Sequence, residues 1–109
     1  MSEGVDRARL AFDRHAWRVA YEGLSAAATD EPLEPQDLER LASAAFLIGH
    51  STESRQTWLD AYRSYIEGGQ PLHAVRCAFW IAFDLLNSGD LARGGAWVDR
   101  ARRGLDLRC

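Results

Sequence analysis

The sequence predicts an all-α protein of six helices arranged as three antiparallel helical hairpins. Apolar residues recur three and four positions apart in six successive segments, no segment sustains the alternation of a strand, and Pro and Gly stand in the short connectors. A chain of 109 residues with net charge -3 suits a single globular domain, 1–109. We expect the hairpins at about 4–28, 35–67 and 71–106.

The first hairpin is predicted from two apolar stripes separated by a break near Arg14-His15. The first helix places inward Val5, Ala8, Leu10, Ala11 and Phe12, and the second places inward Trp17, Ala20, Tyr21, Leu24, Ala27 and Ala28. The connector TDEPLEP, which carries two prolines, follows this second helix.

The second hairpin begins at Pro35, because the missing N–H of proline is harmless at the first position of a helix. The apolar face of its first helix consists of Leu38, Leu41, Ala42, Ala45, Phe46 and Ile48, and the helix ends at Gly49-His50. Ser51 is the predicted N-cap of the next helix. That helix buries Trp58, Leu59, Ala61, Tyr62, Tyr65 and Ile66.

The third hairpin lies between the Gly68-Gly69-Gln70-Pro71 connector and the end of the chain. Its first helix runs from Pro71 to about Ser88, and Asp90 is expected to cap the last helix. The last helix is predicted to bury Ala92, Ala96, Trp97, Ala101 and Leu105. Small residues at Ala78, Ala82, Gly94 and Ala101 would allow its two helices to approach closely.

Small residues repeat along the chain at the same register. Ala8 and Ala42 are 34 residues apart, as are Ala27 and Ala61. Ala42 and Ala82 are 40 residues apart, as are Ala61 and Ala101. A period of 34 in helical hairpins resembles the tetratricopeptide repeat. The matching positions are Ala8, Ala20, Leu24, Ala27 and Pro32; Leu38, Leu41, Ala42, Ala45, Ser54, Trp58 and Ala61; and Ala78, Ile81, Ala82, Leu85, Gly94, Val98 and Ala101.

The first hairpin departs from this family pattern, since Gly4 and Arg7 stand where large apolar residues are expected. The segments AWRVAYEGLSAA, TWLDAYRSYIEGG and CAFWIAFDLLNSGDLARGGAWVDRARR are similar to the tetratricopeptide region of actinobacterial LuxR-type transcriptional regulators. This resemblance implies a short right-handed solenoid that acts as a regulatory protein-interaction scaffold. No helix-turn-helix is recognisable in these 109 residues.

The family geometry implies that the first helix of each hairpin lines a concave, partner-binding face. The residues expected there are Arg9, Phe12, Glu39, Phe46, Arg76, Phe79, Phe83 and Asn87. The phenylalanines would supply affinity, because burying one such side chain contributes about 1.5–3 kcal/mol. The partner would be a protein or peptide. An alternative use of the phenylalanines is contact with a second copy of the chain, as a homodimer.

A different reading is a small-molecule sensor, with an apolar effector held between hairpins near Phe79, Trp80 and Phe83. An enzyme is not expected, because no nucleophile with a base, carboxylate pair or phosphate-binding glycine loop is recognisable. His73 and Cys77 are four apart on one helix, but two ligands do not make a metal site. We therefore expect no metal and no cofactor.

Nucleic-acid and membrane binding are also not expected. The arginine cluster Arg100, Arg102, Arg103 and Arg108 is small in a chain of net charge -3. No apolar run is long enough to span a bilayer, and MSEGVDRAR is not followed by the apolar segment of a signal peptide. The expected location is the cytoplasm.

Overall fold

A computed structural model describes the backbone of residues 2–108 and the side chains of residues 4–104. Every secondary-structure element in this part of the chain is a helix, which confirms the all-α class. The six helices are α1 (Ser2–Asp13), α2 (Trp17–Asp30), α3 (Pro35–Leu47), α4 (Ser51–Glu67), α5 (Pro71–Asn87) and α6 (Leu91–Arg108). None of the helices described is both long enough and apolar enough to cross a bilayer.

The chain divides into two compact units, one up to Thr57 and one from Trp58 onward. Unit 1 contains α1, α2, α3 and residues 51–57 of α4, whereas unit 2 contains residues 58–67 of α4 together with α5 and α6. Each unit has a core of its own.

The core of unit 1 forms where α1, α2 and α3 contact one another. One cluster consists of Ala8, Leu24 and Leu41, and a second consists of Ala11, Ala20 and Ala44. The many alanines allow close packing: a Cβ added to Gly23 would lie 2.9 Å from the Cβ of Ala8. The first turn of α4 joins this unit through the Ser54 hydroxyl, which donates to the carbonyl of Ala42 at 2.8 Å.

The core of unit 2 lies between α5, α6 and the second part of α4. Its buried residues are Trp58, Ala61, Tyr65, Ala74, Cys77, Ala78, Ile81, Ala82, Leu85, Gly94 and Ala101. Here too a glycine lies at a close approach of two helices, α5 and α6, because a Cβ on Gly94 would meet the side chain of Leu86 at 2.6 Å. Cys77 is fully buried there as a free cysteine.

Helix ends follow the sequence signals closely. Pro35 and Pro71 are the first residues of α3 and α5, and the Asp90 carboxylate accepts a hydrogen bond from the Arg93 N–H at 3.1 Å as the cap of α6. Two details differ. α2 continues to Asp30 instead of ending before the TDEPLEP connector, and Ser51 is the first helical residue of α4 instead of its cap.

Four of the helices, α1, α3, α4 and α5, end in the same hydrogen-bonded turn. The residue three positions past the end of each of these helices donates from its N–H to a carbonyl five residues earlier, at 2.8 to 2.9 Å, and the residue before each donor has positive φ. This is the Schellman geometry that ends helices. The positive-φ residues are His15 (65°), Gly49 (90°), Gly69 (72°) and Gly89 (90°). The steps from His15 to Gly49 and from Gly49 to Gly89 are 34 and 40 residues.

Gly89→Ala is expected to destabilise the protein by about 1 kcal/mol, because an alanine at φ 90° is strained and the lower entropy of the unfolded chain offsets only part of that strain. Gly95→Ala is the matched control. Gly95 lies inside α6 with open space at its Cβ position, so alanine should stabilise by about 0.5–1 kcal/mol. Urea unfolding measures both changes in the free energy of unfolding. Changes of the same sign at the two sites would contradict the strain expected for alanine at position 89.

Several side chains predicted to be buried are exposed: Leu10, Ala28, Ile66, Ala92 and Ala96. In α6 the buried line runs through Gly94 and Ala101, seven residues apart, and Ala92 and Ala96 lie on the far side of the helix from Gly94. The prediction that Ala92 and Ala96 face inward is therefore wrong, whereas the burial predicted for Ala101 is confirmed, and Gly94, predicted at the helix contact, is buried as well. Leu105 lies outside the described side chains.

Candidate partner-binding surface

Helix α5 is apolar on two opposite faces. Its core face is buried, and the other face exposes a row of large side chains spaced three and four residues apart. We name this row the α5 stripe: Leu72 (47% exposed), Phe79 (66%), Trp80 (46%), Phe83 (46%) and Leu86 (39%), with Arg76 and Asn87 exposed among them. Exposed apolar surface of this kind marks interaction sites in folded proteins.

The rings of the α5 stripe rest on a packed aromatic base. Trp80 stacks on the buried Trp58, with ring centroids 6.0 Å apart and planes 16° apart. Phe83 in turn meets Trp80 edge to face at 5.8 Å. Such ring pairs contribute beyond their buried area and restrict the side-chain orientation. The stripe is therefore held in place before any partner binds, with Phe79 as its most exposed ring.

Four of the sequence-predicted site residues lie together on α5. Arg76, Phe79, Phe83 and Asn87 are all exposed on the same side of the helix, as the spacing indicates. Sequence reasoning missed Leu72 as a member of this row. Its position four residues before Arg76 was the available signal.

The other four predicted site residues belong to unit 1 and have different surroundings. Phe46 is exposed at the end of α3, whereas Glu39 is half-buried. Phe12 is half-buried and packs edge to face on Trp17, with centroids 5.1 Å apart. The Arg9 guanidinium binds the carboxylate of Asp37.

Asp37 is a buried carboxylate held by two arginines. Arg9 donates to it from Nε at 2.9 Å and from Nη2 at 2.7 Å, and Arg40 donates from Nη1 at 2.8 Å. Burial alone would raise the pKa of Asp37, but the hydrogen bonds and charges of the two arginines outweigh burial and hold that pKa below its usual value. The hydrogen bonds with Asp37 likewise raise the pKa of Arg9. This cluster ties α1 to the first turn of α3.

A cleft of about 830 Å³ lies beside this cluster in unit 1. Its apolar wall is formed by side chains such as Val5, Val19 and Leu33, and its rim carries the carboxylates of Asp30, Glu31 and Glu34. Arg9 and Asp37 also line this cleft and bind each other there.

A second polar cluster in unit 1 joins Tyr21, His50 and Glu53. The Tyr21 hydroxyl donates to Glu53 Oε2 at 2.5 Å, and His50 Nδ1 lies 2.8 Å from Glu53 Oε1. These hydrogen bonds raise the pKa of Tyr21 and lower that of Glu53. These side chains connect α2 to the start of α4.

Two further side chains discussed in the sequence analysis pack on aromatic rings. His73 stacks on the buried Tyr65 at 5.0 Å, and Arg100 lies 4.5 Å over the ring of Trp97. Among the residues described, no three His, Cys, Asp or Glu side chains are grouped so that they could hold a metal ion.

The chain matches no protein-family model, no curated protein and no solved structure. Its own side chains are therefore the basis for assigning a role.

Proposed function

We propose that this chain is a non-catalytic protein-interaction module, with the α5 stripe as its partner-binding surface. The observation that carries the proposal is the apolar outer face of α5, on which Phe79 is 66% exposed. A helix that is apolar all round is normally covered on all sides. An additional protein surface would bury the outer face of α5.

The proposed architecture is a short solenoid of three tetratricopeptide-like hairpins. Equivalent positions along the chain support it. Ala8, Ala42 and Ala82 are each buried, as are Ala20, Ser54 and Gly94 in the second helix of each proposed hairpin. The turns inside the proposed hairpins, at His15, Gly49 and Gly89, fall at the same spacing, and the same turn also follows α4 at Gly69. By its resemblance to LuxR-type regulators, we assign the module a regulatory, cytoplasmic role.

The rival role, a small-molecule sensor, would place Phe79, Trp80 and Phe83 around an effector. Small ligands are generally bound in pockets that enclose most of their surface. The three rings are instead arranged along the outside of one helix, and each is at least 46% exposed. This arrangement favours a protein surface as the ligand.

Photo-crosslinking in living cells tests the proposal directly. Benzoylphenylalanine is incorporated in the full chain at position 79 or 83, with position 10 as the matched control, because Leu10 is also exposed but lies outside the α5 stripe. We expect protein adducts from positions 79 and 83 and none from position 10. Absence of adducts at both stripe positions would refute the proposed function.

A further inference from the structure

We propose that the occupant of the α5 stripe is a second copy of this chain, with two α5 helices packed antiparallel about a two-fold axis at the level of Ile81. This inference rests on the proposed function and names its partner. It makes the chain a homodimer whose interface is the outer face of α5.

The stripe lies opposite the buried face of α5, so an additional helix can cover it without disturbing the core. Core residues such as Cys77, Ile81 and Leu85 lie on one side, and Phe79 and Phe83 lie on the other. At 1.5 Å per residue, the stripe from Leu72 to Leu86 is about 21 Å long. One helix of the same length matches it.

The exposed area is large enough for a small interface. An aromatic side chain has an area of about 150–250 Å², and we take a similar area for leucine. Multiplied by these areas, the exposed fractions of the five apolar residues of the stripe give about 500 Å². Two copies would thus remove at most about 1,000 Å² from water, which reaches the lower limit for a biological interface and lies below the roughly 1,200–2,000 Å² of stable ones. The flanking Arg76 and Asn87, both exposed, would add to this area.

The stripe is self-complementary in the antiparallel direction. A two-fold axis at Ile81 places Phe79 of one copy against Phe83 of the other, and it places Arg76 against Leu86 and within one turn of Asp84. The two copies of Arg76 are then separated by about 15 Å along the axis, which keeps like charges apart. A parallel pair would bring them side by side.

Light scattering after size-exclusion chromatography tests the self-association. The intact chain should elute with twice its 12.2 kDa mass, and Phe79→Glu/Phe83→Glu should elute as a folded monomer. Leu10→Glu/Leu91→Glu is the control, because it adds the same charge at exposed apolar sites outside the stripe and should remain a dimer. Far-UV circular dichroism checks that each variant is folded.

The pairing direction is tested by a mixture of two single variants. Phe79→Glu and Phe83→Arg should each be monomeric alone, whereas their mixture should regain a dimer, since the new carboxylate and guanidinium meet across the antiparallel interface. The proposal is overturned if the mixture stays monomeric, or if Phe79→Glu/Phe83→Glu remains a dimer.

A monomeric intact chain would also overturn self-association, but it would leave the proposed function standing if crosslinks from position 79 lead to another protein. Adducts of twice the chain mass support both proposals. No adducts at either stripe position remove both.

Discussion

Asp37→Ala is expected to lower the free energy of unfolding by about 3 kcal/mol, because it leaves Arg9 and Arg40 facing a site built for a carboxylate. Removing one partner of a buried ion pair is among the more damaging single changes, although the partial exposure of the two arginines limits the loss here. The measurement is urea unfolding of the intact chain and the variant at neutral pH.

Asp6→Ala is the control for this change. Asp6 also binds Arg9, at 3.2 Å, but its carboxylate is exposed to solvent. An exposed pair contributes about 0–1 kcal/mol, so Asp6→Ala should shift the unfolding midpoint only slightly. Equal losses from the two variants would mean that burial of Asp37 does not set its contribution.

The effect of Asp37 should also depend on pH. Its pKa in the folded protein lies below the unfolded value of about 3.9, so its stabilisation is fully present above that value and is lost as the pH falls through the lowered folded pKa. The difference in unfolding free energy between the intact chain and Asp37→Ala should therefore be constant near neutrality. It should shrink below about pH 4.

Tyr65→Ala is expected to destabilise the protein by about 3–5 kcal/mol, the range for emptying a large aromatic site in a core. Tyr65 is fully buried in unit 2, and its ring stacks on His73. The substitution removes the largest of the fully buried side chains in the described part of the chain. Urea unfolding followed by circular dichroism measures the loss.

Ile66→Ala provides a neighbouring control on the same helix. Ile66 is 51% exposed, so its truncation should cost less than about 1 kcal/mol. The two residues are adjacent in sequence and differ mainly in burial. A loss at Ile66 as large as that at Tyr65 would show that α4 has been assigned the wrong inward face.

The sequence was a good guide to the helix boundaries. Pro35, Pro71 and Asp90 act through local backbone chemistry, so their effect does not depend on which helices meet. Four of the exposed α5 side chains, Arg76, Phe79, Phe83 and Asn87, were expected on one face of the helix from the family resemblance. Their exposure has a general cause, because large apolar residues on both sides of one helix cannot all face a single core.

Features that depend on contacts between distant residues were not predicted. Arg9 and Asp37 are 28 residues apart, and nothing in either local pattern indicates that α1 brings them together. Arg40, three residues after Asp37, was the one local signal. In α6 the alanines are compatible with either face, since a small side chain gains little from burial; Gly94 and Ala101 decide the orientation through close packing.

The stacked indoles of Trp58 and Trp80 give the chain its own optical label for the α5 stripe. Their ring centroids are 6.0 Å apart and their planes 16° apart, and the near-ultraviolet circular dichroism of a tryptophan depends on how its ring is held. Phe83 touches one member of the pair. Any molecule that covers Phe83 and reorients Trp80 should therefore alter the near-ultraviolet circular dichroism, so binding at this surface can be followed without an added dye.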